Sequence, residues 1–321
     1  MSSARVSVAM ATCNGARFID EQLESVASQS RPPDELVVCD DASEDDTFPR
    51  VEAFAERASF AVQPLRNPSR LGITANFERA IASCTGDIVL LADQDDVWRR
   101  DKIETLAGIL AQRPEVGAVF SDGEVIGADG APLGYTLWQS LGFDEKEQRA
   151  VREGNAVDVF LRHVVAAGTT LAFRSSFRDL ATPFPALRSC HDAFLAFVIA
   201  ASAKIEIVAE PLIQYRYHGG NQIGIRRLGF FGKLAKAREQ IASDAFTYAV
   251  EFFQAARERL PNATPQTLAA IEAKILHASR RASMSGRLSE RLPDIREELR
   301  SGRYRRYSYG WQSAAQDLLL R

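Results

Sequence analysis

Apolar residues in the first hundred positions fall into short continuous runs, separated by stretches with helical spacing. Val6 to Met10 is predicted as a first strand that ends in the turn-prone Cys13-Asn14-Gly15. Phe18, Ile19, Leu23 and Val26 recur at helical intervals, which predicts an amphipathic helix from Phe18 to Ser28, stopped by Arg31-Pro32-Pro33. Glu35 to Cys39 is continuously apolar after its first residue, as expected of a strand buried on both faces. The pattern then predicts a helix over Val51 to Arg57, a weak strand over Phe60 to Gln63, a helix over Thr74 to Ser83 and a buried strand over Asp87 to Ala92. Strands alternating with helices imply an α/β fold with a mainly parallel sheet.

Beyond Ala111 the pattern loosens. Gly117 to Ser121, His163 to Phe173, Ile205 to Val208 and Leu212 to Tyr217 read as strands, and Cys190 to Ala203 as a buried helix. After Arg226 only helical patterns remain, over Phe230 to Arg259, Pro265 to Ser283 and Pro293 to Arg300. The chain therefore reads as an α/β domain over residues 1–225 and a helical extension over 226–321.

Charge sharpens that division. Residues 226–321 carry 18 Lys/Arg against 10 Asp/Glu, while the rest carries 21 against 32, so the two parts are expected to meet different partners. Cys13, Cys39, Cys84 and Cys190 are scattered without a C-x-x-C pair, which argues against a zinc site or a disulfide framework and for a reducing cytoplasm. The N-terminal apolar run is too short for a signal peptide, and no run reaches the roughly 18 apolar residues of a membrane span.

Candidate chemistry lies where the strands end. Asp40-Asp41 and Asp93-Gln94-Asp95-Asp96 each follow a buried strand, and ligands of parallel α/β sheets bind at the carboxyl ends of strands. Carboxylates this close repel unless a cation or a set of donors compensates. A hard divalent cation, Mg²⁺ or Mn²⁺, takes oxygen ligands from one or two carboxylates and from substrate phosphates, which suits Asp93 and Asp95. Glu44-Asp45-Asp46 reads instead as a solvated acidic loop.

Four segments together carry a resemblance. Val6 to Gly15, Leu36-Val-Val-Cys-Asp-Asp-Ala-Ser-Glu-Asp-Asp-Thr47, and Asp87-Ile-Val-Leu-Leu-Ala-Asp-Gln-Asp-Asp-Val-Trp98 resemble, in order, the opening strand and loop, the pyrimidine-binding segment and the D-x-D region of family 2 glycosyltransferases. Cys190-His191-Asp192 with Glu210 to Gly224 resembles the acceptor half of the rhamnosyltransferase and O-antigen transferase subgroup. The resemblance covers roughly residues 4 to 224 and implies the GT-A fold, a Rossmann-like, mainly parallel nucleotide-diphospho-sugar transferase architecture.

It also implies roles. Asp41, with backbone around Ala11 and Thr12, would read the pyrimidine of the donor, and Asn14, Arg70, Asn76, Asp93 and Gln94 would lie along nucleotide and donor sugar. Arginine suits diphosphate because its planar fork bonds two oxygens. Asp93 and Asp95 would hold the metal, and His218 would ligate it or bind phosphate; a histidine hydrogen-bonded within a loop is the alternative. Arg216 reads equally well as a surface charge. Asp192 would be the catalytic base that takes a proton from the acceptor hydroxyl, and as an Asp near a helix start it would also serve as a cap.

Departures narrow the reading. Cys13 stands where many family members have an aromatic residue that stacks on the base. The Q-x-x-R-W motif of processive synthases is absent, which argues for addition of a single sugar. The expected function is inverting, metal-dependent transfer from a UDP- or dTDP-sugar, dTDP-rhamnose among them, to a hydroxyl of a glycan or lipid-linked acceptor in bacterial cell-surface polysaccharide synthesis. Arg303-Tyr-Arg-Arg-Tyr307, Tyr309-Gly-Trp311 and Leu318-Leu-Leu320 mix cations with interfacial aromatics, as in peripheral contact with the cytoplasmic membrane face; a water-facing bundle or a homodimer interface are the alternatives. Nucleic acid is not expected as a partner. A nucleotidyltransferase would need a basic Gly-rich loop after the first strand, and Ala11 to Ala16 has one glycine and no lysine. A non-catalytic sugar-nucleotide or glycan-binding module remains the other reading.

Overall fold

The computed structural model describes residues 4–187, 191–219, 239, 241 and 243–320. Cys190, the segment from Asn221 to Gly224 and the first part of the helix read from Phe230 lie outside the described residues. The chain divides into two compact units, Met1–Gly154 with Val165–Arg226, and Asn155–Val164 with Arg227–Arg321. A single cut near 225 does not provide for residues 155–164. They cluster with the helical unit because Asp158 pairs with Arg306 at 3.0 Å and the His163 ring meets Tyr309 edge-on at 5.7 Å.

The first unit is built on a nine-stranded sheet among the described residues. Its elements are β1 (Val6–Thr12), α1 (Ile19–Ala27), β2 (Glu35–Asp40), α2 (Thr47–Ala55), β3 (Ala61–Arg66), α3 (Ile73–Ser83), β4 (Ile88–Asp93), β5 (Val97–Trp98), α4 (Lys102–Gln112), β6 (Val116–Ile126) and β7 (Pro132–Thr136). The short helices α5 (Leu137–Leu141) and α6 (Glu145–Arg152) follow, then β8 (Leu171–Arg174), α8 (Arg178–Ala181), α9 (His191–Ala200) and β9 (Lys204–Arg216); the second unit's α7 (Ala156–Phe160) intervenes in sequence. Strand order is β3-β2-β1-β4-β8-β6-β9-β5, with β7 beside β6.

β3, β2, β1 and β4 are parallel, and β8 runs antiparallel between β4 and β6. β1, β2 and β4 are buried almost throughout, as their unbroken apolar character requires. Two sequence expectations change. His163 to Phe173 is mostly irregular chain that becomes strand only at Leu171, after a 3₁₀ turn over Gly168–Thr170. Ile205 to Val208 and Leu212 to Tyr217 are one strand, β9. Ala209 and Glu210 bulge out of the ladder, since Ser121 pairs Val208 while Asp122 pairs Pro211. A bulge is where a sheet tolerates proline.

The second unit contains α10 (Ala245–Glu258), α11 (Pro265–Ser283), α12 (Leu288–Arg300), α13 (Arg303–Tyr307) and α14 (Trp311–Leu319). A small apolar cluster of Met284, Ile295, Tyr304 and Ala314 is joined by buried charge pairs. Arg281 Nε donates to Asp317 Oδ2 at 2.7 Å, as does the Tyr304 hydroxyl. His277 bridges Glu298 Oε2 and Ser308 Oγ, each at 2.6 Å. The Ser308 Oγ also accepts from Arg281 Nη1 at 3.2 Å and is buried, which makes this line a strut rather than a nucleophile. Among the described residues no helix is long and apolar enough to cross a membrane.

Candidate active site

The carboxyl ends of β1, β2 and β4 meet, with Ala11 opposite Cys39 on one side and Asp93 on the other. The chain steps outward from β1 to β2 and β3 and then crosses back to β4 on the other side of β1, so the carboxyl ends of β1 and β4 form the switch point where such sheets bind ligands. The loop after β1 is fixed there by Gln94. Its Oε1 accepts from Cys13 N at 2.8 Å and its Nε2 donates to Cys13 O at 3.0 Å. Asn14 sits in the left-handed region at φ 49°, as does Ala42 after β2 at φ 52°; these are the non-glycine residues with positive φ among those described. Strained backbone concentrates at functional sites when the surroundings hold it.

Here the surroundings do hold it. Asn14 N donates to Ser43 Oγ, Glu44 N to Asn14 Oδ1, and Gly15 N to Thr47 Oγ1, at 2.7–2.8 Å. Asp45 is exposed, as a solvated acidic loop requires, and it also clasps the two loops by accepting from Ala16 N at 3.1 Å and Thr47 N at 3.0 Å.

Asp41 is 4% exposed. Its Oδ1 accepts from Leu71 N and Asn67 Nδ2 at 2.7 and 2.8 Å, and its Oδ2 from Gly72 N at 2.9 Å. Asn76 is 2% exposed, and its amide donates to Cys39 O and Thr12 O and accepts from Asn67. The polar atoms of Asn76 and Gln94 tie the loops to the strand ends. Thr12 is likewise buried, its hydroxyl bonded to Asp40 Oδ1 at 3.0 Å. Ala11 is half-buried at the end of β1. Arg70 is half exposed beside Glu44 at 3.5 Å, and its charge acts on the Cys13 thiol, which places it at the mouth of the gap.

The acidic end of β4 is crowded. Burial, then the charges of Asp96, Asp95 and Asp192, holds the Asp93 carboxyl well above the ordinary range. Asp95 Oδ2 lies 2.8 Å from His218 Nε2, and the His218 ring lies 5.0 Å from that of Phe18. Arg216, 2% exposed, is no surface charge: its backbone N donates to Asp96 Oδ1, its Nε to Asp95 O, and its Nη2 to Glu21. Asp96 is 1% exposed, and burial, then the Asp95 charge, raises its carboxyl to about 7 against the pull of the Thr169 hydroxyl and the Arg216 amide.

These residues fit a divalent cation. Excess buried negative charge calls for a positive one, and a carboxylate and an imidazole already meet. Hard cations bound with phosphate substrates take few protein ligands and complete their shell with phosphate oxygens and water; imidazole favours Mn²⁺ over Mg²⁺. Among the described residues no three His, Cys, Asp or Glu side chains converge as a ready-made cage.

Asp192 stands in the first turn of α9. Its Oδ1 accepts from Ala193 N at 2.7 Å, and its Oδ2 from Gly168 N at 3.0 Å. His191 beside it is buried against Phe77, rings stacked at 4.1 Å, and burial lowers its pKa. The Tyr215 hydroxyl is raised by burial and then by Asp96, Asp93, Asp95 and Asp192, so one side chain feels all four carboxylates. Sequence reasoning missed the site positions of Lys102 and Phe18. A lysine four residues after Trp98, at the start of a helix, was the available signal for the first.

The sequence model of "Glycosyl transferase family 2" matches residues 7–180. A chain of Nostoc sp. described as an uncharacterized glycosyltransferase is 24% identical over 220 residues, covering 68% of this chain and 66% of its own length. The dTDP-rhamnosyl transferase RfbG of Shigella flexneri is 25% identical over 260 residues, covering 74% of this chain and 86% of its own. Other curated relatives are matched over less of their length, down to 39%. Two solved structures share the fold. The mannosyltransferase PcManGT of Pyrobaculum calidifontis, in complex with GDP-Man and Mn²⁺, has a TM-score of 0.57 at 22% identity over 100% of this chain and 86% of its own. S. aureus TarS 1-349 in complex with UDP has a TM-score of 0.56 at 17% identity over 86% and 71%. The α/β sheet with its acidic switch point is thus a GT-A fold, and with more than half its length matched the chain belongs to glycosyl transferase family 2.

Proposed function

We propose that the chain catalyses inverting transfer of a single sugar from a UDP- or dTDP-sugar to a hydroxyl of a glycan or lipid-linked glycan, in bacterial cell-surface polysaccharide synthesis. The observation that carries this reading is the convergence of Asp192 with Asp93, Asp95 and Asp96 at the carboxyl end of the sheet. A binding module has no need of a carboxylate opposite the metal-side cluster; a transferase does. Asp192 takes the proton of the acceptor hydroxyl as that oxygen attacks the anomeric carbon. The loop 13–15, held by Gln94, and the loop 67–72, held by Asp41, frame the nucleotide, and Arg70 at the mouth receives the diphosphate. Asp95 and His218, with Asp93 beside them, would hold Mg²⁺ or Mn²⁺. When bound, the cation offsets the negative charge that accumulates on the leaving diphosphate. Similarity to a dTDP-rhamnosyl transferase makes dTDP-rhamnose the first donor to test.

The test is a thermal-shift panel of UDP-, dTDP- and GDP-sugars, each with Mn²⁺ and with EDTA. A donor that binds the folded state raises the midpoint by mass action. A metal-dependent rise with one nucleotide class is expected; no rise with any of them would sink the reading. Asp192→Asn should lower turnover about 100-fold or more while keeping the nucleotide-induced rise. Retained turnover would place the base elsewhere.

The second unit supports peripheral contact of the enzyme with the cytoplasmic membrane face. Trp311 is 75% exposed, and Tyr309, Arg305 and Arg306 are exposed around it, an aromatic–cationic corner suited to anionic headgroups. Flotation with anionic vesicles should carry the wild type and lose Trp311→Ala; no flotation of the wild type at moderate salt would remove this contact.

A further inference from the structure

Lys102 is fully buried at the start of α4, an unusual place for a lysine. Its ammonium lies 3.5 Å over the Trp98 ring and donates to the backbone carbonyl of Thr169. Thr169 belongs to the 3₁₀ turn Gly168–Thr170, whose first amide donates to Asp192 Oδ2 at 3.0 Å. That turn approaches Asp192 closely: a Cβ placed on Gly168 would stand 3.2 Å from the Cβ of Asp192 and 3.4 Å from His191 Nε2. On its other side Lys102 is within electrostatic reach of Asp93 and Asp96. One side chain therefore links both halves of the site: it bonds the turn that holds Asp192 and lies within charge range of the acidic end of β4.

We propose that Lys102 is a positioning residue for transfer: it pins the Gly168–Thr170 turn against the acidic end of β4, and thereby fixes the Asp192 carboxylate relative to the donor side. The proposal rests on Asp192 being the base. The Lys102 ammonium has three protons and no acceptor function, so it can hold the Thr169 carbonyl while facing carboxylates. Trp98 is tied into the sheet through β5 and β9, which gives the ammonium a fixed seat. Without this link the turn keeps its bond to Asp192 but loses its anchor, and the base drifts. Displacement of a reacting group by about 1 Å costs up to about 100-fold in rate.

The experiment compares Lys102→Met, Gly168→Ala, Asp192→Asn and the double variant Lys102→Met/Asp192→Asn in the full chain. Amide hydrogen exchange over residues 168–170 is read against residues 13–15, which Gln94 holds independently. Binding is probed with UDP, dTDP and GDP, each with Mn²⁺. Turnover is followed as nucleoside diphosphate released from the sugar donor that responds in the thermal panel. In Lys102→Met, exchange at 168–170 should rise about tenfold with 13–15 unchanged. Its kcat should fall about 10- to 100-fold, with nucleotide affinity and donor KM unchanged. The double variant should be no slower than Asp192→Asn alone, since both act through one carboxylate.

Unchanged exchange at 168–170 in folded Lys102→Met would overturn the proposal. So would a loss of nucleotide affinity matching the loss of kcat, or additive losses in the double variant. Should Lys102→Met fail to fold, Gly168→Ala strains the same link from its other end and should show the same kcat-selective loss; wild-type turnover there overturns the proposal. Full turnover in Asp192→Asn would sink the base assignment itself, separately from the exchange result.

Discussion

Gly15 shows how much one missing side chain can matter. A Cβ at this position would stand 2.1 Å from Gln94 Oε1, so Gly15→Ala has to expel the Gln94 amide from its two bonds to Cys13. Gln94 is a flexible side chain and can leave, so the protein should still fold. The loss is then that of two hydrogen bonds at a partly buried site, about 1–3 kcal/mol. Gln94→Ala removes the same bonds without adding bulk, and the two substitutions meet at one contact. The double variant should therefore cost little more than the larger single change in urea unfolding. Full additivity would show that Gly15 serves some other purpose, such as the left-handed backbone of Asn14 next to it. In both single variants nucleotide-induced stabilisation should weaken, because the loop they loosen closes the switch point.

Between residues and molecule stands the start of α3, where Asp41 accepts from Leu71 N and Gly72 N just before the helix begins. A carboxylate here satisfies donors that the helix leaves open and faces the positive end of its dipole. Asp41→Ala takes the acceptor from the Leu71 and Gly72 amides and leaves Asn67 Nδ2 with Asn76 alone, and should lower stability by about 2 kcal/mol in urea unfolding. Asp41→Asn, which keeps one acceptor, should lose about half of that; equal losses would mean that charge rather than hydrogen bonding holds the loop. The sequence placed Asp41 at the site because it follows a buried strand, a signal strong enough to locate β1, β2 and β4 as well. It did not reveal what Asp41 holds, since Leu71 and Gly72 are 30 and 31 positions away. Periodicity failed where structure depends on neighbours: β9 reads as two strands because the Ala209-Glu210 bulge is fixed by β6, not by its own residues. The apolar residues of 163–170 likewise looked like strand, although only Leu171–Arg174 finds partners in the sheet. Arg216 and Lys102 were hidden for a related reason. Charge alone says surface, and only tertiary placement among carboxylates makes burial tolerable.

Across the whole molecule the buried charges fall into two settings with different pH behaviour. In the first unit the acidic residues crowd one another; in the second, carboxylates are enclosed by cations. Burial works to raise Glu298, but His277 and Arg303 outweigh it and hold its carboxyl at about 2, against an ordinary 4.5. Arg303 Nη2 donates to Glu298 Oε1 at 2.8 Å and Arg280 Nη1 to the same oxygen at 3.0 Å. Between pH 4.5 and 2 the unfolded chain binds a proton at this residue that the folded chain does not. The contribution is therefore present in full above the unfolded value and is lost as pH falls through the folded one. A depression of this size corresponds to about 3 kcal/mol. Corrected for the intrinsic pH dependence, the Glu298 share of amide protection in α11 and α12 should hold down to about pH 4.5 and be lost progressively below, on top of an earlier loss below about pH 6.5 from the buried His277, whose pKa burial lowers. Glu298→Gln leaves His277, Arg280 and Arg303 around an uncharged amide, so it should be less protected at neutral pH and nearly flat across the same acid range. If the variant kept the wild-type slope, the acid sensitivity of this unit would reside in His277, whose pKa burial lowers, and His277→Gln would then flatten it.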